Sequence, residues 1–163
     1  MNYSIKQIAN AIQGELSGQQ ELIINNVLTD SRRIVDPASS VFFAIKTDKQ
    51  DGHLFINELY EKGVRCFVIT EQADSFISNF PEASFIFTSN AIKALQLLAS
   101  FHRNKFLFPI IGITGSNGKT IVKEWLFTLL SKYTPTFRSP KSYNSQIGVP
   151  LSICMLQSYH QLA

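Results

Sequence analysis

Several features that would assign the chain to a class of protein are missing from its sequence. Its 163 residues include only two cysteines, Cys66 and Cys154, so no disulfide framework is expected. No apolar run approaches the ~18–20 residues of a membrane span. The first residues, Met1–Lys6, lack the charged start and apolar core of a signal peptide. These absences predict a globular, cytoplasmic protein without a membrane span, and they leave its oligomeric state open.

Acidic residues are almost missing from the second half of the chain. Residues 1–85 carry 7 lysines and arginines against 11 acids, whereas residues 86–163 carry 8 against a single acid, Glu124. The basic residues are scattered and form no clustered stripe, which argues against a nucleic-acid partner. The change of charge predicts two units, which we place at residues 1–87 and 88–163.

The first unit alternates helical and strand patterns. Ser4 followed by Gln7 is typical of a capping box, and the apolar residues of Ile5–Ile12 recur at helical spacing. His53–Lys62 is a second amphipathic stretch. This alternation predicts an α/β domain, with strands in runs rich in Val, Ile and Phe: Leu22–Val27, Val41–Ile45, Val64–Thr70 and Phe85–Thr88.

The second unit reads as the beginning of a larger domain. Ser89 or Asn90 can cap a helix, and the run Phe106–Thr114 is apolar on both faces, as in a central parallel strand covered by helices. A short strand at Thr134–Ser139 and a helix from about Ile147 are also expected. One strand and one helix cannot close a doubly wound domain, so the domain is expected to be incomplete. The helix after residue 118 is expected to have four residues on its inner, buried face: Val122, Leu126, Leu129 and Leu130.

A glycine-rich segment, Gly112–Thr120, lies between the predicted buried strand and that helix. Backbone N–H groups at such a turn converge on anions, aided by the positive end of the helix. A lysine there suits the β- and γ-phosphates of a nucleotide, and the Thr120 hydroxyl suits Mg²⁺. The alternative is a plain strand–helix turn with a chance lysine. The residues predicted to bind nucleotide phosphates are Gly115, Ser116, Asn117, Gly118, Lys119 and Thr120.

The loop Thr114–Thr120 resembles the nucleotide loop of the Mur ligases, ATP-dependent enzymes that build the peptidoglycan stem peptide. The general phosphate-loop pattern G-x-x-x-x-G-K-S/T fails here because Ile113 replaces the first glycine. Other segments resemble further signatures of the family in the same order. They are Asp30-Ser31-Arg32, Asp51-Gly52-His53, Lys123-Glu124 and Tyr143–Leu151, of which the last is similar to the signature of the branch that adds D-alanyl-D-alanine.

The resemblance implies a fold and a reaction. The fold is a small N-terminal α/β substrate domain followed by the first part of a P-loop, mostly parallel-sheet ATPase domain. With ATP and Mg²⁺, Lys119 as the catalytic cation and Thr120 at the metal, a carboxylate of UDP-N-acetylmuramoyl-tripeptide is phosphorylated. The amine of D-alanyl-D-alanine then attacks the acyl phosphate. The implied substrate-binding residues are Asp30, Ser31, Arg32 and Asn144. The chain is expected to be a fragment that is inactive alone.

Alternatives remain at the level of sequence. The loop also suits a P-loop kinase, and the first unit also suits a non-catalytic uridine-nucleotide-binding module. Taken alone, Asp30–Arg32 is typical of a solvated turn with an Asx-type hydrogen bond. Within the family, the branch that adds the third stem-peptide residue is the nearest competitor, and Asn144–Leu151 argues against it. The intact gene can also carry a fused enzyme such as an alanine racemase.

Overall fold

The computed structural model describes residues 1–18, 21–48, 50–71, 78–140 and 143–163. The chain divides into two compact units, Met1–Leu98 and Ala99–Ala163. A 13-residue helix, α3 (Ala91–Arg103), runs across this division. Its start is capped by Asn90, whose Oδ1 accepts a hydrogen bond from the Lys93 N–H at 2.9 Å.

The strands of the first unit are β1 (Tyr3–Ser4), β2 (Glu15–Gly18), β3 (Ile23–Ile24), β4 (Asn26–Leu28), β5 (Ser40–Phe43), β6 (Lys46–Thr47), β7 (Gln50–Asp51), β8 (Cys66–Ile69) and β9 (Ser84–Phe87). Five of them form one sheet with the order β2-β9-β8-β5-β4. Four strands of this sheet are parallel, and β2 pairs antiparallel with β9 at one edge. Two short antiparallel pairs, β1 with β3 and β6 with β7, lie outside this sheet.

The strand predictions for this unit are largely confirmed. Every residue of β5 and β8 is buried, as expected of strands covered on both faces. The run Leu22–Val27, predicted as one strand, instead forms β3 and β4. The backbone N–H groups of Asn25 and Asn26 both donate to the carbonyl of Ser39, at 2.7 and 3.1 Å. These two hydrogen bonds to one carbonyl interrupt the run and divide it into two short strands.

The helices of the first unit also follow the sequence pattern. Helix α1 (Ile5–Ile12) begins with the predicted capping box, in which Ser4 and Gln7 exchange side-chain to backbone hydrogen bonds. The predicted stretch His53–Lys62 forms a 3-10 helix (Gly52–Phe55) and then α2 (Ile56–Glu61). Across the described residues, we find no helix with the length and apolar character needed to cross a membrane.

Aromatic rings form the centre of the first unit. Phe67 is fully buried and stacks on Phe85, with ring centroids 5.5 Å apart. The Phe42 ring meets Phe67 edge to face at 6.4 Å. Close packing extends to the backbone at Gly52, where a Cβ would lie 2.7 Å from the Ile45 nitrogen. Glycine is therefore required at this position because any side chain would displace the end of the neighbouring strand.

The second unit contains two further helices, α4 (Lys119–Leu130) and α5 (Gly148–Cys154). Helix α5 forms as predicted, and Pro150 is tolerated because it lies in the first turn, where backbone N–H groups have no intrahelical partner. Residues 135–137 and 161–163 run parallel, with a bridge between Thr136 and Leu162. The predicted short strand at Thr134–Ser139 is thus reduced to this bridge.

The run Phe106–Thr114 does not form the predicted buried strand. Its centre makes one pair of backbone bonds, in which Ala163 donates to Pro109 at 3.2 Å and accepts from Ile111 at 2.7 Å. Bonding to residues on either side of one position is the parallel pattern. Leu107 is fully exposed. Among the described residues the run lacks a partner strand on its other side. Ile110 and Ile111 are exposed, whereas Phe106 and Phe108 are half-buried.

The inner face of α4 also differs from the prediction. Leu126 and Leu130 line a cavity of the second unit, as expected, but Val122 and Leu129 are exposed. The helix begins directly at Lys119, which lines the same cavity. Positions 4, 7 and 11 residues after Lys119 share its face. The inner face therefore starts from the lysine of the loop rather than from Val122.

The aromatic centre of the first unit yields a stability prediction. Phe67→Ala should lower the free energy of unfolding by about 3–5 kcal/mol, because it leaves a cavity between two other rings. Leu54→Ala is the control, since Leu54 is exposed and its truncation should change the value by less than about 0.5 kcal/mol. Urea unfolding followed by circular dichroism measures both. Equal losses in the two variants would contradict this packing.

Candidate functional site

The glycine-rich loop leads directly into α4. Gly115 and Gly118 have backbone φ angles of 146° and 77°, which side-chain-bearing residues rarely adopt. A Cβ at Gly118 would meet no atom within 4 Å, so the loop is open on this side. Gly118 is also the N-cap of α4 and has no side chain to cap the helix. The N–H groups of the first turn have no intrahelical partners, which is the geometry that binds anions.

Lys119 folds back over the loop. Its Nζ donates hydrogen bonds to the backbone carbonyls of Gly115 and Ser116, the second at 3.3 Å. The ammonium group is thus held against the loop, and Lys119 lines a cavity together with residues 116–118. An anionic ligand would replace these neutral carbonyls with charged oxygens, which are stronger hydrogen-bond acceptors.

Two neighbouring cavities in the second unit meet at three predicted site residues. The smaller, about 310 Å³, is lined by Asn144 and by residues 116–121 of the loop and helix. The larger cavity, about 610 Å³, is lined by Gly115, Lys123 and Arg138, among other residues. Lys119, Thr120 and Asn144 line both cavities. The structure therefore brings together all seven residues predicted in this unit.

A charged cluster that the sequence did not single out as a site lies at the larger cavity. Lys123 donates to the carbonyl of Ser139 at 2.8 Å and lies 3.1 Å from the carboxylate of Glu124. Glu124 also pairs with Arg138. Burial, and secondarily the positive charge of Arg138, lower the pKa of Lys123 from its usual value. The sequence pointed to Lys123-Glu124 only as a segment that resembles a family signature; the four-residue spacing from Lys119 was the signal that could have placed Lys123 beside the phosphate loop.

The other predicted motif lies in the first unit, directly after β4. Arg32 donates to both carboxylate oxygens of Asp30, from Nε at 2.8 Å and from Nη2 at 2.9 Å. Its backbone N–H donates to the same carboxylate at 3.1 Å, which is the Asx-type bond of a turn. The hydrogen bond from the Arg32 side chain lowers the pKa of Asp30 to about 2. Ser31 is buried, whereas the Arg32 side chain is 85% exposed.

A second network lies at the ends of β5 and β8. Lys46 bridges Asp51 at 2.9 Å and Glu71 at 3.1 Å. His53 is buried, with Nδ1 2.6 Å from Asp51, and its Nε2 accepts the Thr70 N–H at 3.1 Å. Although burial opposes ionisation, the hydrogen bonds from Lys46 and His53 hold the pKa of Asp51 well below its usual range. The segment Asp51-Gly52-His53, which resembles a family signature, thus fastens the 3-10 helix to the end of β8.

Known proteins resemble this chain over most of its length. No protein-family model matches the chain. A curated relative from Borreliella burgdorferi, named UDP-N-acetylmuramoyl-tripeptide–D-alanyl-D-alanine ligase, is 40% identical over 149 residues, covering 88% of this chain and 32% of the relative. A crystal structure of MurF from Acinetobacter baumannii superposes with a TM-score of 0.88 at 27% identity, covering 99% of this chain and 35% of that one.

A third comparison concerns the MurF ligase from Thermotoga maritima, solved in complex with ADP. It has a TM-score of 0.67 at 27% identity and covers 85% of this chain and 30% of that one. The chain spans about one third of the length of the curated relatives it matches. With an α/β fold that follows the solved MurF structures over nearly the whole chain, and with relatives named for the same reaction, the chain belongs to the Mur ligase family.

Proposed function

We propose that the chain is part of an ATP-dependent ligase of peptidoglycan synthesis, one that adds D-alanyl-D-alanine to UDP-N-acetylmuramoyl-tripeptide in the cytoplasm. The observation that carries this proposal is the arrangement of Lys119, Thr120 and Asn144 around two adjoining cavities. Relatives that bear this name match 88% or more of the chain in several bacteria. The expected domain assignment, residues 1–87 for the UDP-linked substrate and 88–163 for ATP, is part of the proposal.

The loop fits the phosphates of ATP. The backbone N–H groups from Gly115 to Thr120 and the Lys119 ammonium group would hold the β- and γ-phosphates on the open side of the loop. Mg²⁺ would be held in part by the Thr120 hydroxyl and, when bound, would neutralise charge on the phosphates. Glu124 is the single acid of residues 86–163. Because it is paired with Lys123 and Arg138, we do not assign it to the metal.

Asn144 is the residue proposed to receive the peptide substrate. Since it lines both cavities, its amide can contact a phosphoryl group in one and a substrate carboxylate in the other. In the proposed reaction this carboxylate attacks the γ-phosphorus of ATP and ADP leaves. The amine of D-alanyl-D-alanine then forms the amide bond as phosphate departs. Lys119 and the loop N–H groups stabilise the charge that develops on the transferred phosphoryl group.

The first unit is proposed to hold the uridine nucleotide end of the substrate. Ser31 and Arg32 follow β4 at the carboxyl edge of a parallel sheet, where ligands of α/β proteins bind. Asp30 stays ionised at neutral pH because its pKa is about 2, so it keeps the guanidinium group of Arg32 oriented. This unit alone is also consistent with a nucleotide-binding module, but a module or a kinase does not explain the match that extends through Asn144–Leu151 to relatives named as ligases.

Substitution of Lys119 tests the phosphate site. Pyrophosphate is the probe, because it needs no adenine contacts. Titration into labelled chain should shift the amide signals of Gly115–Thr120 first, and higher ionic strength should weaken the effect. Lys119→Ala should weaken pyrophosphate binding roughly 10-fold or more, the loss of one charged hydrogen bond. Nuclear magnetic resonance titration measures both the site and the affinity.

Lys132→Ala is the matched control, because it removes the same charge from an exposed position just after α4. It should bind pyrophosphate like the parent chain. A titration in which the Gly115–Thr120 amides stay unmoved while other basic residues respond would mean that the glycines serve only the strand–helix turn.

Substitution of Arg32 tests the first unit. Arg32→Ala should weaken the binding of uridine diphosphate by roughly 10- to 150-fold, the range for a hydrogen bond to a charged group. Arg33→Ala is the control, since Arg33 also pairs with Asp30, at 3.6 Å, and belongs to no predicted site. Isothermal titration calorimetry measures both variants. Equal affinity of Arg32→Ala and the parent chain would remove Arg32 from the site.

A further inference from the structure

The side chain of Lys123 is largely removed from solvent. Its side chain is only 14% exposed, and burial lowers its pKa. Removing an ammonium group from water is unfavourable unless its donors are satisfied. Here the Nζ donates to the Ser139 carbonyl at 2.8 Å and lies 3.1 Å from Glu124. The lysine is therefore held in one place rather than extended into solvent.

The contacts of Lys123 belong to a two-point clamp between α4 and residues 138–139. The consecutive residues Lys123 and Glu124 on the helix bind the consecutive residues Ser139 and Arg138, respectively. The Arg138 guanidinium group also lies 4.2 Å from the centre of the Phe127 ring. Three interactions thus fix the end of the 135–139 segment against the helix that begins at Lys119.

The clamp lies beside the proposed phosphate site. Lys123 is one helical turn after Lys119, and both line the larger cavity together with Ser139 and Asn144. Ser139 precedes Asn144 by five positions in the chain. Because Ser139 and Asn144 line the same cavity, a shift of Ser139 away from α4 would change the cavity wall that Asn144 shares.

We propose that Lys123 is a positioning residue, which holds Ser139 against α4 so that Asn144 faces an anion bound on the loop. This inference rests on the proposed function, because it assigns Lys123 a part in the phosphate site. Lys123 does not need to touch the ligand. The effect of Lys123 on Asn144 is indirect and acts through the Ser139 carbonyl. The ion pair between Glu124 and Arg138 holds the same segment against α4.

The experiment compares three variants of the full chain in the pyrophosphate titration. Lys123→Gln should weaken pyrophosphate binding roughly 2- to 10-fold, the lower part of the range of coupling within one hydrogen-bond network, because Lys123 acts indirectly. It should also abolish the response of the Asn144 side-chain amide while the Gly115–Thr120 amides still shift. Lys123→Arg keeps a cationic donor and should restore the Asn144 response. Lys132→Gln removes the same charge at an exposed position and should behave like the parent.

A second measurement needs no substitution. In the labelled parent chain, the carbonyl carbon signal of Ser139 should move with the Gly115–Thr120 amides and with the same pyrophosphate dependence. This arm tests the coupling even where Lys123→Gln fails to fold.

The outcomes separate this inference from the proposed function. If the loop amides of the parent chain do not respond to pyrophosphate, the phosphate site itself is wrong. If they respond, but Asn144 responds equally in Lys123→Gln or the Ser139 carbonyl stays unmoved in the parent, the phosphate site stands and the positioning role of Lys123 is overturned.

Discussion

Parallel pairing of strands determines where the candidate functional residues of this chain lie. In a parallel sheet all strands end at one edge, so the loops that follow them share that edge. In the first unit this places Asp30–Arg32, Lys46 and Glu71 at the ends of β4, β5 and β8. In the second unit, residues 109–111 and 135–137 both pair parallel with residues 161–163. The phosphate loop and Ser139 therefore emerge on the same side.

Charge in the second unit is arranged around the single acid Glu124. Paired with both Lys123 and Arg138, it neutralises cations that would otherwise repel each other beside the cavity. Lys119 is not part of this cluster and binds backbone carbonyls of its own loop. Lys123 and Arg138 therefore stabilise the structure, whereas Lys119 is the cation proposed to bind phosphate.

Side-chain hydroxyls close two short turns of the chain. The Thr47 hydroxyl closes the β6–β7 hairpin by bonding to Gln50 at 3.2 Å. The Ser145 Oγ accepts the Gly148 N–H at 2.9 Å and so supports the start of α5. A hydroxyl performs a turn-forming function at both positions.

The sequence by itself determined the elements whose causes are local. The capping box of Ser4 and Gln7 and the phosphate loop before a helix depend on contacts between residues a few positions apart. The apolar runs of β5 and β8 mark them as buried strands, although the strands that pair with them are distant in sequence. The tertiary structure decided that Lys123 is fastened to Ser139. A lysine is held in one place only when an acceptor such as this carbonyl reaches it. The residues beside Lys123 in sequence do not specify that carbonyl, because it lies 16 positions away.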